Sequence, residues 1–239
     1  MKSDNKQGLA GLTFTIILSA AILLISLFLQ LSCIAAAAQI MHGSSSNEAI
    51  AATAKHGGAI TLAILTSSLI GIIITLLTIK LKNKQLLSYI QFNKIPLKTL
   101  RNWLLIALAT TLIIEAFSLI FDFKEAEKLM LMWYSTAKNK PLLFITMVFI
   151  APIFEELFFR GFLLSNLKDS FLGVTGGLII SSAAWAAIHM QYDLAMMVMI
   201  FFMGLVFGAA KIKTNSILTS LAMHSTYNAI AFIMMATMA

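Results

Sequence analysis

Apolar runs long enough to cross a membrane recur from one end of this chain to the other, and no other feature limits its fold so strongly. In hydrocarbon every backbone N–H and C=O must be satisfied inside the protein, which leaves helices or closed barrels. The runs are continuous rather than alternating, so they fit helices and not barrel strands. Only 11% of the 239 residues are charged and 59% are hydrophobic, against about 25% charged in soluble domains. The expected fold is therefore all-α, a polytopic membrane helix bundle of about seven transmembrane helices at roughly 20 residues each.

The most informative run is 141–166. It is apolar enough to span, yet it holds Glu155, Glu156 and Arg160 near its middle. Charges there are retained when they pair, line a wet cavity or do chemistry. Residues four apart share a helix face, so Glu156 pairs with Arg160. Glu155 lies about 100° around the helix from Glu156 and stays available. Pro152 removes a backbone donor just before them, which predicts a kink or an open carbonyl.

Taken in order, the segment 9–41 is a first span. Its apolar core is much longer than the ~7–15 residues of a signal-peptide core, so it reads as a retained span despite its alanine run. A small polar loop, 42–58, carries His42 and His56 as solvated bystanders. The second span is 59–79. Between 80 and 101 stand Lys80, Lys82, Lys84, Lys94, Lys98 and Arg101 with no acidic residue. That asymmetry puts this loop in the cytoplasm and the N-terminus inside. The third span, 103–121, contains Glu115, which has no patterned partner and reads as structural or cavity-lining. Asp122 to Lys140 mixes charges with Trp133 and Tyr134, as an interfacial helix does. Pro141 then opens the fourth span at a position proline tolerates. The fifth ends near His189, the sixth is 194–210, and the seventh starts at Ser216.

The net charge of +7 reads as orientation and attraction to membrane lipid. Nothing resembles a nucleic-acid module. The single Cys33 excludes a disulfide framework and a cysteine-based zinc site. Short loops and the lack of targeting segments suggest a prokaryotic cytoplasmic membrane.

Two further polar groups stand in the apolar second half. Trp185 precedes His189 by four, so its ring packs beside the imidazole. His224 and Asn228 are also four apart and share a face. Any one of these residues alone reads equally well as helix–helix glue. A carboxylate, two histidines and an amide together are the inventory of a water-activating hydrolytic site. Depth agrees: at 1.5 Å per residue, Glu155 lies roughly 18 Å and His224 roughly 15 Å from their nearest turns. His189 matches, at about 18 Å, only if its helix starts after Gly177. The spacing thus predicts an irregular or re-entrant 171–177 and a half-span ending at His189.

These residues resemble the CAAX protease and bacteriocin-processing family (CPBP, also called Abi), intramembrane proteases that include the type II CAAX prenyl endopeptidase. Glu155, Glu156 and Arg160 match E-E-x-x-x-R, Trp185 and His189 match aromatic-x-x-x-H, and His224 and Asn228 match H-x-x-x-N. Tryptophan replaces the usual phenylalanine of the second motif. The resemblance covers 141–239, taken as the catalytic core of four membrane segments, with 1–140 as supporting helices and loops.

The resemblance implies a glutamate-dependent endopeptidase. Glu155 and His189 would hold and activate water, His224 and Asn228 would stabilise the oxyanion, and Glu156, Arg160 and Trp185 would support them. It implies no cofactor and a peptide or protein substrate, with lipidated and membrane-inserted ones among the options. Two alternatives are a zinc protease using Glu155, His189 and His224, and a non-enzymatic immunity or transport protein. The first lacks the H-E-x-x-H helix, and the second lacks the internal repeat common in transporters.

Overall fold

The architecture is that of a computed structural model, which describes residues 2–82, 85–121 and 124–238; every regular element among these is helical. Lys84 and Asp122, counted above in their loops, lie outside the described residues. The elements are α1 (Lys2–His42), α2 (Asn47–Thr53), α3 (Gly57–Leu81), α4 (Leu86–Tyr89) and α5 (Leu97–Phe121). They continue as α6 (Lys124–Thr136), α7 (Lys140–Lys168), α8 (Gly173–Ala187), α9 (Leu194–Thr214) and α10 (Ile217–Met238). Six of them (α1, α3, α5, α7, α9 and α10) are long and apolar enough to cross a membrane. The expected fifth span, α8, has 15 residues. At 1.5 Å each it covers roughly 22 Å, short of a ~30 Å hydrocarbon core.

The half-span is therefore present, but it starts earlier than its glycines suggest. The turn before it ends at Gly173, whose φ of +60° is left-handed. Gly176 and Gly177 lie inside the helix. Gly177 serves close packing: a Cβ there would stand 2.8 Å from the backbone nitrogen of Lys168. A glycine that looked like a chain breaker instead lets α8 lie against the end of α7. His189 falls just past the last helical residue, in a turn closed by bonds from its N–H to Ala186 O (3.0 Å) and from Tyr192 N–H to its own carbonyl (3.0 Å).

Helix α7 is the most buried of the spans and α5 the least. It begins conventionally, with Asn139 accepting from Leu142 N at 3.0 Å and Pro141 in the first turn. It then widens to π geometry over Thr146–Ile150 and again over Glu156–Leu163. Pro152 explains the first widening. The Ala151 N–H bonds to Thr146 O, five residues back. In that register the Met147 carbonyl faces Pro152, which has no N–H to give. Asn228 on α10 supplies the missing donor, its Nδ2 lying 2.8 Å from Met147 O. The open carbonyl read from the sequence is real, and a neighbouring helix satisfies it.

Phe158, Phe159 and Phe162 of α7 are fully buried. Helix α3 packs close by virtue of Gly71, where a Cβ would meet the Phe154 ring at 2.4 Å. Some buried hydroxyls fold back on their own helices, as in Thr75 to Gly71 O (2.7 Å) and Thr111 to Ala107 O (3.0 Å). This satisfies them without water.

The polar loop 42–58 contains α2, capped by the Ser46 side chain, which accepts from Ala49 N. Helix α6 is more than an interfacial ribbon, because Trp133 is buried and its indole donates to Ala54 O at 3.0 Å. Gly57 permits this contact: a Cβ there would lie 1.8 Å from Trp133 O. Backbone cannot rotate away as a side chain can, so Gly57→Ala forces α3 and α6 apart. We expect it to destabilise the protein by about 1–3 kcal/mol, read as a lowered unfolding midpoint in detergent, whereas Gly11→Ala, with open space around it, leaves the midpoint unchanged.

Candidate active site

Three helices bring the polar residues of the second half to one place. Helix α7 carries Glu155, Glu156 and Arg160, α8 and its following turn carry Trp185 and His189, and α10 carries His224 and Asn228. Glu156 and Arg160 form the expected pair, Nη1 to Oε1 at 3.2 Å, with both side chains only 1% exposed. The Arg160 guanidinium lies over the Trp185 ring at 4.3 Å, with Phe207 of α9 at 5.9 Å. Its Nη2 reaches Gly204 O at 3.5 Å. An arginine sealed from water thus has a carboxylate, a carbonyl and two aromatic faces around it.

Glu155 is different. It remains 14% exposed. Its Oε2 accepts the Trp185 indole N–H at 2.5 Å. The two glutamates face opposite sides of one histidine: His224 Nδ1 donates to Glu156 Oε1 at 3.0 Å, and His224 Nε2 stands 3.8 Å from Glu155 Oε2. The carboxylate at Nδ1 only accepts, so that nitrogen carries a proton, while Nε2 faces Glu155 beyond hydrogen-bond distance. The result is a connected polar network, Arg160–Glu156–His224–Glu155, spanning α7 and α10 and closed by Trp185 from α8.

His189 joins through Trp185. Its Nδ1 is 2.9 Å from the Trp185 carbonyl, and the rings meet edge to face at 5.4 Å. A carbonyl only accepts, so Nδ1 carries the proton and Nε2 keeps its lone pair. Tyr192, in the same turn, stacks on the other side of the imidazole at 6.3 Å and 17°. Asn228 is tied to Met147 O, one turn along α10 from His224. Glu115 is half-buried on α5.

Glu155, Glu156, Arg160, Trp185, His189 and His224 are thus brought together, with Asn228 anchored beside them. Glu155 Oε2, His224 Nδ1 and His189 Nδ1 each face a different protein partner. Among the described residues no three His, Cys, Asp or Glu side chains converge as a metal set.

Sequence reasoning missed Tyr192, the indole bond to Glu155, and the part played by α9. The last had a signal. Gly204 and Gly208 are four apart, the small-residue spacing of close helix packing, and a Cβ at Gly204 would stand 2.9 Å from Ser182 Cβ and 3.1 Å from Trp185 Cε3.

Comparison with known proteins bears on this arrangement. Residues 137–230 match the family model described as "Rce1-like: Type II CAAX prenyl endopeptidase Rce1-like". No curated protein and no solved structure matches the chain. The matched residues run from just before α7 into α10 and contain every residue of the network. Through this segment the chain is similar to the type II CAAX prenyl endopeptidases, a likeness that indicates a protease, and the segment is built into a membrane helix bundle.

The buried pair has a measurable signature. Arg160→Met leaves Glu156 buried without its cation and is expected to cost about 3–5 kcal/mol. Removing both charges in Glu156→Leu/Arg160→Met restores part of that loss. Unfolding midpoints of the two single variants and the double variant check this directly.

Proposed function

We propose that the protein is a glutamate-dependent intramembrane endopeptidase in which Glu155 activates the attacking water. One observation carries this reading. Of the two adjacent carboxylates, Glu156 is sealed against Arg160 at 1% exposure while Glu155 keeps 14%. A general base must reach water, and the residual exposure of Glu155 supports that role.

The remaining groups have consistent parts. With Oε2 held by Trp185, Oε1 of Glu155 is free to accept a water proton. His189 Nε2, left as an acceptor, holds the same water. The water oxygen attacks the scissile carbonyl carbon as its proton passes to Glu155. The carbonyl electrons move onto oxygen, where His224 Nε2–H and the second N–H of Asn228 donate. Each such donor is typically worth about 2.7–4 kcal/mol in a dry site. Collapse of the tetrahedral intermediate breaks the C–N bond, and the proton held by Glu155 goes to the leaving amine. No metal or cofactor takes part in this scheme. Helices α7–α10 (141–239) form the catalytic core, and residues 1–140 frame it.

The substrate class is a peptide or protein whose scissile bond lies near the membrane. The matched family's description names a prenyl endopeptidase, which makes a lipid-bearing C-terminus one candidate, beside a membrane-inserted segment. Lys80, Lys82, Lys94, Lys98 and Arg101 support an orientation with the N-terminus and this loop in the cytoplasm of a prokaryotic inner membrane.

The test is proteolysis in nanodiscs, using quenched peptides with and without a prenylated cysteine. We expect wild type to cleave, chelator to have no effect, and Glu155→Ala and His189→Ala to lose about 10²–10⁴-fold in rate without a change in unfolding midpoint. Full activity in purified Glu155→Ala protein would sink the assignment. Chelator-sensitive cleavage restored by zinc would overturn the metal-free scheme.

A further inference from the structure

Tryptophan combines a large apolar ring with a hydrogen-bond donor at its edge. Trp185 uses both, and it uses its backbone as well. The side chain is 1% exposed. Its Nε1–H points at Glu155 Oε2 at 2.5 Å. Its carbonyl accepts from His189 Nδ1 at 2.9 Å, one helical turn on. Its ring face covers Arg160 at 4.3 Å and its ring meets His224 at 5.2 Å. Gly204 gives up the space the ring occupies.

One residue is therefore bonded to both groups that would activate water, from two different atoms. Each bond removes a choice. The indole N–H takes one oxygen of Glu155 and leaves the other as the acceptor. The carbonyl takes the Nδ1 proton of His189 and leaves Nε2 unprotonated. Because α8 is a half-span, its last carbonyls fall at the depth of Glu155 instead of at the membrane surface. The C-terminal carbonyls of a helix lack intrahelical partners, and Trp185 O finds its partner in an imidazole.

We propose that Trp185 is the positioning residue of the water-activating pair, setting the free oxygen of Glu155 through its indole N–H and the tautomer of His189 through its carbonyl. The inference rests on the reading of Glu155 and His189 given above. A phenyl ring at 185 keeps the backbone bond but loses the indole donor and part of the ring volume, whereas a bicyclic ring without N–H loses the donor alone. The indole N–H is therefore needed for turnover rather than for folding.

The experiment pairs kinetics with a spectroscopic reading that needs no substrate. Trp185→Phe is one variant. The second replaces Trp185 by 3-benzothienyl-alanine, which keeps the bicyclic shape and has sulfur in place of N–H. We expect kcat to fall roughly tenfold or more in both, the size of one charge-assisted hydrogen bond. In the benzothienyl variant KM should stay within about twofold and the unfolding midpoint should be unchanged, as for loss of an interaction that matters in the transition state; Trp185→Phe lowers the midpoint as well, through the volume it removes. Ultraviolet resonance Raman reports hydrogen bonding of the indole N–H, with Trp185 assigned by difference from Trp185→Phe. Its band should move to a weaker-bond position in Glu155→Ala.

Wild-type kcat in the benzothienyl variant overturns the proposal, and so does an indole band that Glu155→Ala leaves in place. If wild type cleaves no peptide, the reading of the enzyme fails on its own terms. The Raman comparison still decides whether Trp185 holds Glu155.

Discussion

The bond between Glu156 and Arg160 is the constraint from which the rest of this bundle follows. Two opposite charges at 1% exposure inside an apolar bundle are costly to remove from water, and a pair of this kind adds little net stability. What it adds is specificity of arrangement. The arginine must find Gly204 O and the ring faces of Trp185 and Phe207, which pins α8 and α9 against α7. The glutamate must find His224, which pins α10. Any packing that slid one of these helices by a turn would leave a buried charge unpaired.

Helix α7 meets these demands by departing from regular geometry. Pro152 makes an uninterrupted α-helix impossible without loss of a backbone bond. Two π-helical stretches absorb the difference on either side, and the carbonyl they expose is satisfied from α10 by Asn228. Asn228 therefore has a structural duty that coexists with its proposed part at the oxyanion: one N–H is spent on Met147 O, and an amide has two. The short α8 is the second departure. Ending after 15 residues, it leaves His189 in a turn at the level of the carboxylates, where a full-length span would carry it to the far surface. Irregular backbone of this kind is tolerated at membrane depth only where protein or a wet cavity surrounds it.

Much of the site was legible because its residue types are improbable in apolar helices. Glu155, Glu156 and Arg160 stand out against leucine and phenylalanine, and a spacing of four decided which carboxylate the arginine holds. His189 and His224 stood out in the same way. The parts not legible were those without a local signature. Tyr192 falls between the expected fifth and sixth spans, yet it stacks on His189. Trp133 looked interfacial, yet it is buried against the end of α2 and the start of α3. Gly176 and Gly177 looked like helix breakers, yet both lie inside α8, and Gly177 lets it pack against the end of α7. In each case the residue's role is set by what lies across from it, and composition does not encode that.

Hydropathy and helical spacing are local properties, so the sequence by itself determined the long apolar helices, the Glu156–Arg160 pairing and the set of polar residues that α7, α8 and α10 gather. Only the tertiary structure decided that His224 sits between the two glutamates, that Asn228 completes the backbone which Pro152 interrupts, and that Trp185 bonds to both Glu155 and His189. The bonds from His224 to Glu156, Asn228 to Met147 and Trp185 to Glu155 join residues 68, 81 and 30 positions apart. Their partners are chosen by how whole helices pack around a buried charge, a choice no stretch of sequence makes alone.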